Sequence, residues 1–484
     1  MIRLDNFSYW YPGSDRPALQ EIDLEIEEGE FVLLTGPSGC GKTTLALALA
    51  GFLFSQFNGE SSGGVEVFGL DPAVVPIYEI ADQVGLVQQN PENQFCTLMV
   101  EDEIAFGLEN RRVPREEIEI RLAWALEAVG ISGLRDRSLR SLSGGEKQKV
   151  ALAAILAAKP RLIVFDEPTS NLDPPSTHEI FRVILDLQRR GNLTVLVIEQ
   201  KLDFVNQADS RVIRMSAGRI LDQETGQPRT ITVERPQIPA SPSDPVLEVD
   251  DLEVGFPGRT VLDGVDFQLF PGELVSLLGD NGSGKTTLLL TLLKMQEFKR
   301  GSIRFQGVSL DKVDSPSLGR EIGMVFQNPD HQIFASTVWE EAILGPVNFQ
   351  LDPDRYENWT RSLLDRAGLG SRLKEHPYRL SFGEKRRLNL ISVLSYKPQL
   401  LLLDEIFIGQ DPQNGEFLMG LLVDHVNEGN AVLLVNHNPA YYPLISTRLM
   451  FLKNGKLAVN SPLPEALREL DRMGEGAYLP VEMP

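Results

Sequence analysis

Three kinds of short apolar run occur in this chain, and each occurs twice. Phe31 to Thr35 and Leu274 to Leu278 lead into glycine-rich stretches; Leu162 to Phe165 and Leu400 to Leu403 lead into Asp-Glu pairs; Thr194 to Ile198 and Ala431 to Val435 follow. None of these runs alternates apolar with polar residues, so each predicts a strand covered on both faces rather than one. Helix-length patterns separate them. The expected fold class is α/β, with a mostly parallel sheet in each half of the chain.

The halves are one sequence written twice. LTGPSGCGKTTL at Leu34 to Leu45 returns as LLGDNGSGKTTL at Leu277 to Leu288, and VQQNPENQF at Val87 to Phe95 returns as VFQNPDHQIF at Val325 to Phe334. Gln89 and Gln327, Ser143 and Ser381, Asp166 and Asp404, and Asp173 and Asp411 are each 238 residues apart. A period of that length is a domain, not a solenoid unit. Gly226 to Pro245 is rich in proline and small polar residues, which reads as an extended linker. The expected organisation is a first domain over residues 1–235, a linker over 236–245 and a second domain over 246–484.

Composition narrows the function. The 46 basic residues are outnumbered by 68 acidic ones, for a net charge of −22, which disfavours nucleic acid as a partner. No apolar run approaches the roughly 18 residues that span a bilayer, so no membrane span is expected. MIRLDNFSYW lacks the basic-then-apolar order of a secretion signal, and the expected location is cytoplasmic. The two cysteines, Cys40 and Cys96, fit a reducing compartment and exclude a zinc framework built on thiolates.

The chemistry sits where the strands end. Gly36 to Thr43 and Gly279 to Thr286 have the spacing of phosphate-binding loops. Gly36, Gly39, Gly41, Gly279, Gly282 and Gly284 let backbone N–H groups turn inward, with Ser38, Cys40, Asn281 and Ser283 between them. Lys42 and Lys285 neutralise terminal phosphates, the hydroxyls of Thr43 and Thr286 face Mg²⁺, and Thr44 and Thr287 continue each helix. Asp166-Glu167 and Asp404-Glu405 end strands at the sheet edge where open parallel sheets bind ligands. In each pair the aspartate is the expected Mg²⁺ ligand and the glutamate the general base.

With these residues in place, the chain resembles the ATP-binding cassette superfamily in two copies, over nearly its whole length. The identifying piece is LSGGE, Leu142 to Glu146. The resemblance implies two tandem P-loop NTPase domains, each with an antiparallel β subdomain and a helical subdomain, binding ATP and Mg²⁺. It implies that Ser143, Gly144, Gly145 and Glu146, and likewise Ser381, Phe382, Gly383 and Glu384, close over ATP held by the opposite cassette. It places Gln89 and Gln327 at Mg²⁺, Asp173 and Asp411 at the cassette interface, and His437 and Gln200 at the position that senses the γ-phosphate. Tyr11 and Phe256 match the aromatic that stacks on adenine, although an aromatic before Pro-Gly is also ordinary packing.

Two departures fall together. Gln200 stands where the family has histidine, and Phe382 stands where it has glycine. In a head-to-tail pair both belong to the site on Lys42. That site is expected to hold ATP, and the site on Lys285 to hydrolyse it; the alternative is that both turn over. Asn90-Pro91-Glu92-Asn93-Gln94-Phe95 and Asn328-Pro329-Asp330-His331-Gln332-Ile333-Phe334 resemble the segment marking ATPases of energy-coupling factor transporters, importers of vitamins and of cobalt or nickel ions. Asn-Pro-acid is also ordinary helix-start chemistry.

By that resemblance Glu92, Gln94, Asp330 and Gln332 face separate transmembrane subunits, a coupling component and a substrate-binding membrane protein. These partners hold the chain at the inner face of the cell membrane. Twin ATPases of sugar importers and soluble ribosome-associated twin cassettes are the alternatives.

Overall fold

A computed structural model describes residues 1–169, 172–191, 193–199, 210–221, 233–236, 244–436 and 438–480. The chain separates into two units, Met1–Arg229 and Thr230–Pro484. Val233, in the sequence stretch assigned above to the first domain, packs against the core of the second unit.

The first unit is built on a six-stranded sheet in the order Val84–Val87, Leu162–Asp166, Thr194–Ile198, Phe31–Thr35, Arg211–Ser216, Arg219–Leu221. The first five strands are parallel and the last is antiparallel. The apolar runs are continuous because the sheet is covered twice. Val32, Leu34, Leu162, Val164, Leu196 and Ile198 point into one core, with the helix Lys42–Leu49 and a three-stranded antiparallel sheet. The alternate residues Leu33, Ile163, Phe165, Val195 and Val197 point into the other, against the helices Val100–Asn110, Arg115–Ala128 and Gly144–Ala157. Each strand of five residues therefore has no solvent face, and period 2 is invisible in its hydropathy.

The second unit repeats this plan. Its six-stranded sheet runs Ile322–Val325, Leu400–Asp404, Ala431–Val435, Leu274–Leu278, Arg448–Lys453, Lys456–Pro462. Leu401, Leu403, Val432 and Leu434 face the helical layer, while Val275, Leu277, Leu400, Leu402 and Leu433 face a four-stranded antiparallel sheet. Both central strands run one residue further than their apolar stretch, to Asp166 and Asp404, so each carboxylate is still part of the ladder.

At the end of the chain, the helix Leu463–Arg472 and the turn Gly476–Tyr478 close a separate small core. No described helix is long and apolar enough to cross a membrane.

In the helix Pro412–Asn427, buried His425 has its imidazole pushed down to about 4, because burial disfavours the cation. The ordinary value is about 6.5, so the unfolded chain binds the proton first. Stability from this residue is complete above pH about 6.5 and is lost as pH falls toward about 4. Melting temperature followed across that window should fall less steeply for His425→Gln than for the native chain; parallel profiles contradict the assignment.

Candidate functional site

Each glycine loop joins a central strand to a helix, and its shape follows from contacts that exclude side chains. Gly36 has φ 152°, and a β-carbon there stands 2.1 Å from the carbonyl oxygen of Met215; for Gly41, with φ 106°, the oxygen of Ala18 is 2.5 Å away. Gly279 repeats this against the Leu452 carbonyl oxygen (2.2 Å), and Gly284 meets the Leu262 side chain (2.6 Å). Inside the ring Lys42 Nζ donates to the carbonyls of Gly36 (2.8 Å) and Pro37 (2.9 Å), and Lys285 Nζ donates to those of Gly279 and Asp280 (both 2.8 Å). Cys40 and Ser283 are buried in the loops, whereas Asn281 is exposed. Tyr478, from the terminal turn, donates to Asp280 Oδ1 (2.8 Å) and so ties the end of the chain to the second loop.

The next residues meet the acid pairs. Thr43 Oγ1 donates to Asp166 Oδ1 at 3.2 Å, and Thr286 Oγ1 to Asp404 Oδ2 at 2.9 Å. The following glutamates share an unusual backbone: Glu167 has φ 48° and Glu405 φ 54°, the left-handed region that glutamate rarely adopts. Each is fixed by its own N–H, donating to Ile198 (2.9 Å) or Val435 (3.0 Å). The same conformation recurs at other matched positions, such as Phe68 and Gln306 or Lys159 and Lys397, so it reflects the shared backbone path of the two units. Gln89 Nε2 reaches Glu167 Oε2 at 3.1 Å.

The two acid sites differ in charge. Glu199 is buried and accepts from Thr169 Oγ1 (2.5 Å) in the first unit, whereas the second has the neutral Asn436 just after the matching strand. Burial raises the Asp166 carboxyl above the ordinary range and Glu199 adds to this, against the lowering effect of Thr43 and Lys42. In the second unit Arg386 is buried beside Glu405, with its Nη1 donating to the Glu405 carbonyl. Sequence reasoning missed both Glu199 and Arg386. The one sequence signal was the register, which pairs Arg386 with Gln148.

Ser143 and Ser381 are N-caps of the helices Gly144–Ala157 and Phe382–Leu394, each in a capping box with Glu146 or Glu384. The serines are exposed, Gly145 and Gly383 are buried, and Phe382 stands 40% exposed where the first unit has Gly144. Asp173 and Asp411 precede helices, accepting from the N–H groups of Ser176 (2.9 Å) and Asn414 (2.8 Å). Tyr11 bonds Thr44 Oγ1 (3.2 Å) and packs edge-on against Tyr9 and Phe57, while Phe256 is exposed at a turn. Gln200 and His437 lie outside the described residues, each two positions past the end of a strand.

The Asn-Pro-acid segments form the 3-10 turns Pro91–Gln94 and Pro329–Gln332, capped by Asn90 and Asn328. Gln94 and Gln332 are partly exposed. Their amides bridge strand backbone, Gln94 between Gln88 N and Leu86 O and Gln332 between Phe326 N and Met324 O. Glu92 and Asp330 keep half-exposed carboxylates, paired with Lys147 and Lys385 just past the capping boxes.

Beside the first turn, a groove of about 250 Å³ is lined by Gly85, Gln94, Phe106, Gly107 and Ala158. The residue matching Ala158 in the second unit is Tyr396, whose ring lies against Gly323 and Gly345.

A methyl at Gly279 meets the Leu452 carbonyl at 2.2 Å, whereas Gly282, with φ 78°, has nothing within 4 Å. Gly282→Ala should cost only the left-handed penalty of about 1–2 kcal/mol, and Gly279→Ala distinctly more. Urea midpoints measure the difference, and equal midpoints contradict the packing described.

Comparison with known proteins gives the geometry a family. Residues 19–170 and 262–407 match the ABC transporter domain. A putative ABC transporter ATP-binding protein of Methanosarcina acetivorans is 32% identical over 545 residues, covering 99% of this chain and 88% of that protein. The putative HMP/thiamine import ATP-binding protein YkoD of Bacillus subtilis is 36% identical over 480 residues, covering 90% of this chain and 87% of its own. Among solved structures, cbiO1 from Clostridium perfringens, described as part of the ABC transporter complex cbiONQ, aligns at 29% identity and TM-score 0.43, covering 48% of this chain and 95% of that one. With the domain matched twice over more than half its length, the chain belongs to the ABC transporter family as an ATP-binding, ATP-hydrolysing protein with two cassettes.

Proposed function

We propose that this chain is the ATPase of an importer of the energy-coupling factor type, carrying a vitamin, a vitamin precursor or a transition-metal ion, and that its two ATP sites are unequal. The observation that carries the inequality is the opposite charge placed behind the acid pairs: buried Glu199 near Asp166, and buried Arg386 beside Glu405.

Each ATP is held by the loop of one unit, Lys42 or Lys285, and closed by the exposed serine of the other, Ser381 or Ser143. The hydroxyl and carboxylate of Thr43 with Asp166, and of Thr286 with Asp404, are hard oxygen donors already at 3.2 and 2.9 Å from each other, a set that suits Mg²⁺, with Gln89 and Gln327 as further ligands. Bound there, Mg²⁺ supplies positive charge against the terminal phosphates. Lys285 balances the same charge from inside its loop. Glu405 takes the proton of the attacking water; the new P–O bond forms on the γ-phosphorus as the bond to the β-phosphate oxygen breaks, leaving ADP and phosphate.

In the first site Glu199 crowds the acids with a third carboxylate, Phe382 replaces a glycine of the closing segment, and Gln200 has no imidazole to offer. That site stores ATP more than it spends it.

The partners are separate membrane proteins on the cytoplasmic face. Glu92 and Asp330 meet basic residues there, while Gln94 and Gln332 brace the turns that present them. The duplicated Asn-Pro-acid segment and the name of the Bacillus subtilis relative support import.

Glu405→Gln should lower steady-state ATP hydrolysis by roughly 10² or more, and Glu167→Gln by much less. Phosphate release by the purified full chain measures both, and equal losses remove the inequality.

A further inference from the structure

Arg386 is 2% exposed in the second turn of the helix Phe382–Leu394. A guanidinium so deep has to find partners, and the ones it finds belong to three different parts of the second unit. Its Nη1 donates to the carbonyl of Glu405, its Nη2 donates to the carbonyl of Gln327 (2.6 Å), and its carbon lies 4.8 Å from the centre of the Phe382 ring. As a guanidinium it is a cation at neutral pH.

The contacts extend beyond it. The Phe382 ring also stands 3.3 Å from where a β-carbon on Gly409 lies, and Gln410 bridges the Gly383 carbonyl (3.1 Å) and Arg387 (3.2 Å). In the first unit the matching residue is Gln148, buried, with its Nε2 donating to nothing among the described residues. That unit therefore lacks the cation that joins helix start to acid pair.

We propose that Arg386 is a positioning residue that couples the two ATP sites, carrying movement of the Ser381-Phe382 helix start to the peptide of Glu405 and to Gln327. The inference rests on the shared-site reading above, in which Ser381 and Phe382 close the site on Lys42 while Glu405 serves the site on Lys285. Closure of the first nucleotide shifts Phe382, the cation moves with the ring it faces, and Glu405 is brought into line for its water. The link is built in the second unit alone, because Gln148 stands at the matching place in the first.

A double-mutant cycle on the full chain tests this, read as single-turnover hydrolysis of Mg-ATP. Lys42→Ala, which empties the first site, should slow the second site about tenfold in the native background and less than about twofold in Arg386→Gln. The Arg386→Gln effect should fall on kcat with KM unchanged, and Arg386→Lys should restore part of the coupling. Phe382→Gly, which removes the ring and leaves Arg386 with its two carbonyl bonds, should lose the coupling as well and covers the case in which Arg386→Gln does not fold. Independent effects of Lys42→Ala and Arg386→Gln, or a Lys42→Ala chain that hydrolyses at the native rate, overturn the relay.

Ser143→Ala and Ser381→Ala separate the two readings. If both lower hydrolysis while the cycle is additive, only the relay is lost. If neither does, the shared-site reading fails and the relay fails with it.

Discussion

Lys42 and Lys285 are ammonium groups with 5% and 6% of the residue exposed, and a cation removed from water needs acceptors on every side it presents. Each finds two carbonyls of its own loop, which forces the chain to close into a ring around the side chain. A ring that tight touches neighbouring backbone at Gly36, Gly41 and Gly279, and the Leu262 side chain at Gly284, where φ is also left-handed, so glycine is what fits. The hydroxyl one residue past each lysine is then fixed against the carboxylate ending the next strand. Loop, helix start and acid pair are consequences of that one enclosed charge.

How much of this could be read from the sequence depended on how local the cause was. The loops, the capping boxes and the Asn-Pro-acid turns are short-range chemistry, and their residues stand together in the sequence as they do in space. The strands were legible because a sheet covered on both faces leaves no polar position in Leu400–Leu403 or Val195–Val197. Glu199, Arg386 and Tyr478 were not legible as site residues, because each acts on a segment far away in the chain: Thr169, Glu405 and Asp280. That the amides of Gln94 and Gln332 turn back to strand backbone was equally hidden, because the carbonyls they meet are eight residues away.

Duplication followed by divergence explains the pattern of differences. The backbone strain at Glu167 and Glu405 is the same in both units, as are the threonine-aspartate pairs. What has changed lies around them: a carboxylate added in one unit, a cation and an aromatic in the other, and a tyrosine ring lying at the place of a groove alanine. Fusion in one chain keeps the two copies at high effective concentration, which permits specialised halves.

The central claim is that one site keeps its ATP while the other spends it. The most direct measurement is the identity of the nucleotide retained by the full chain after many turnovers with Mg-ATP, separated quickly from free nucleotide and quenched in acid. The account requires intact ATP to remain bound alongside ADP; a chain that retains ADP alone contradicts it.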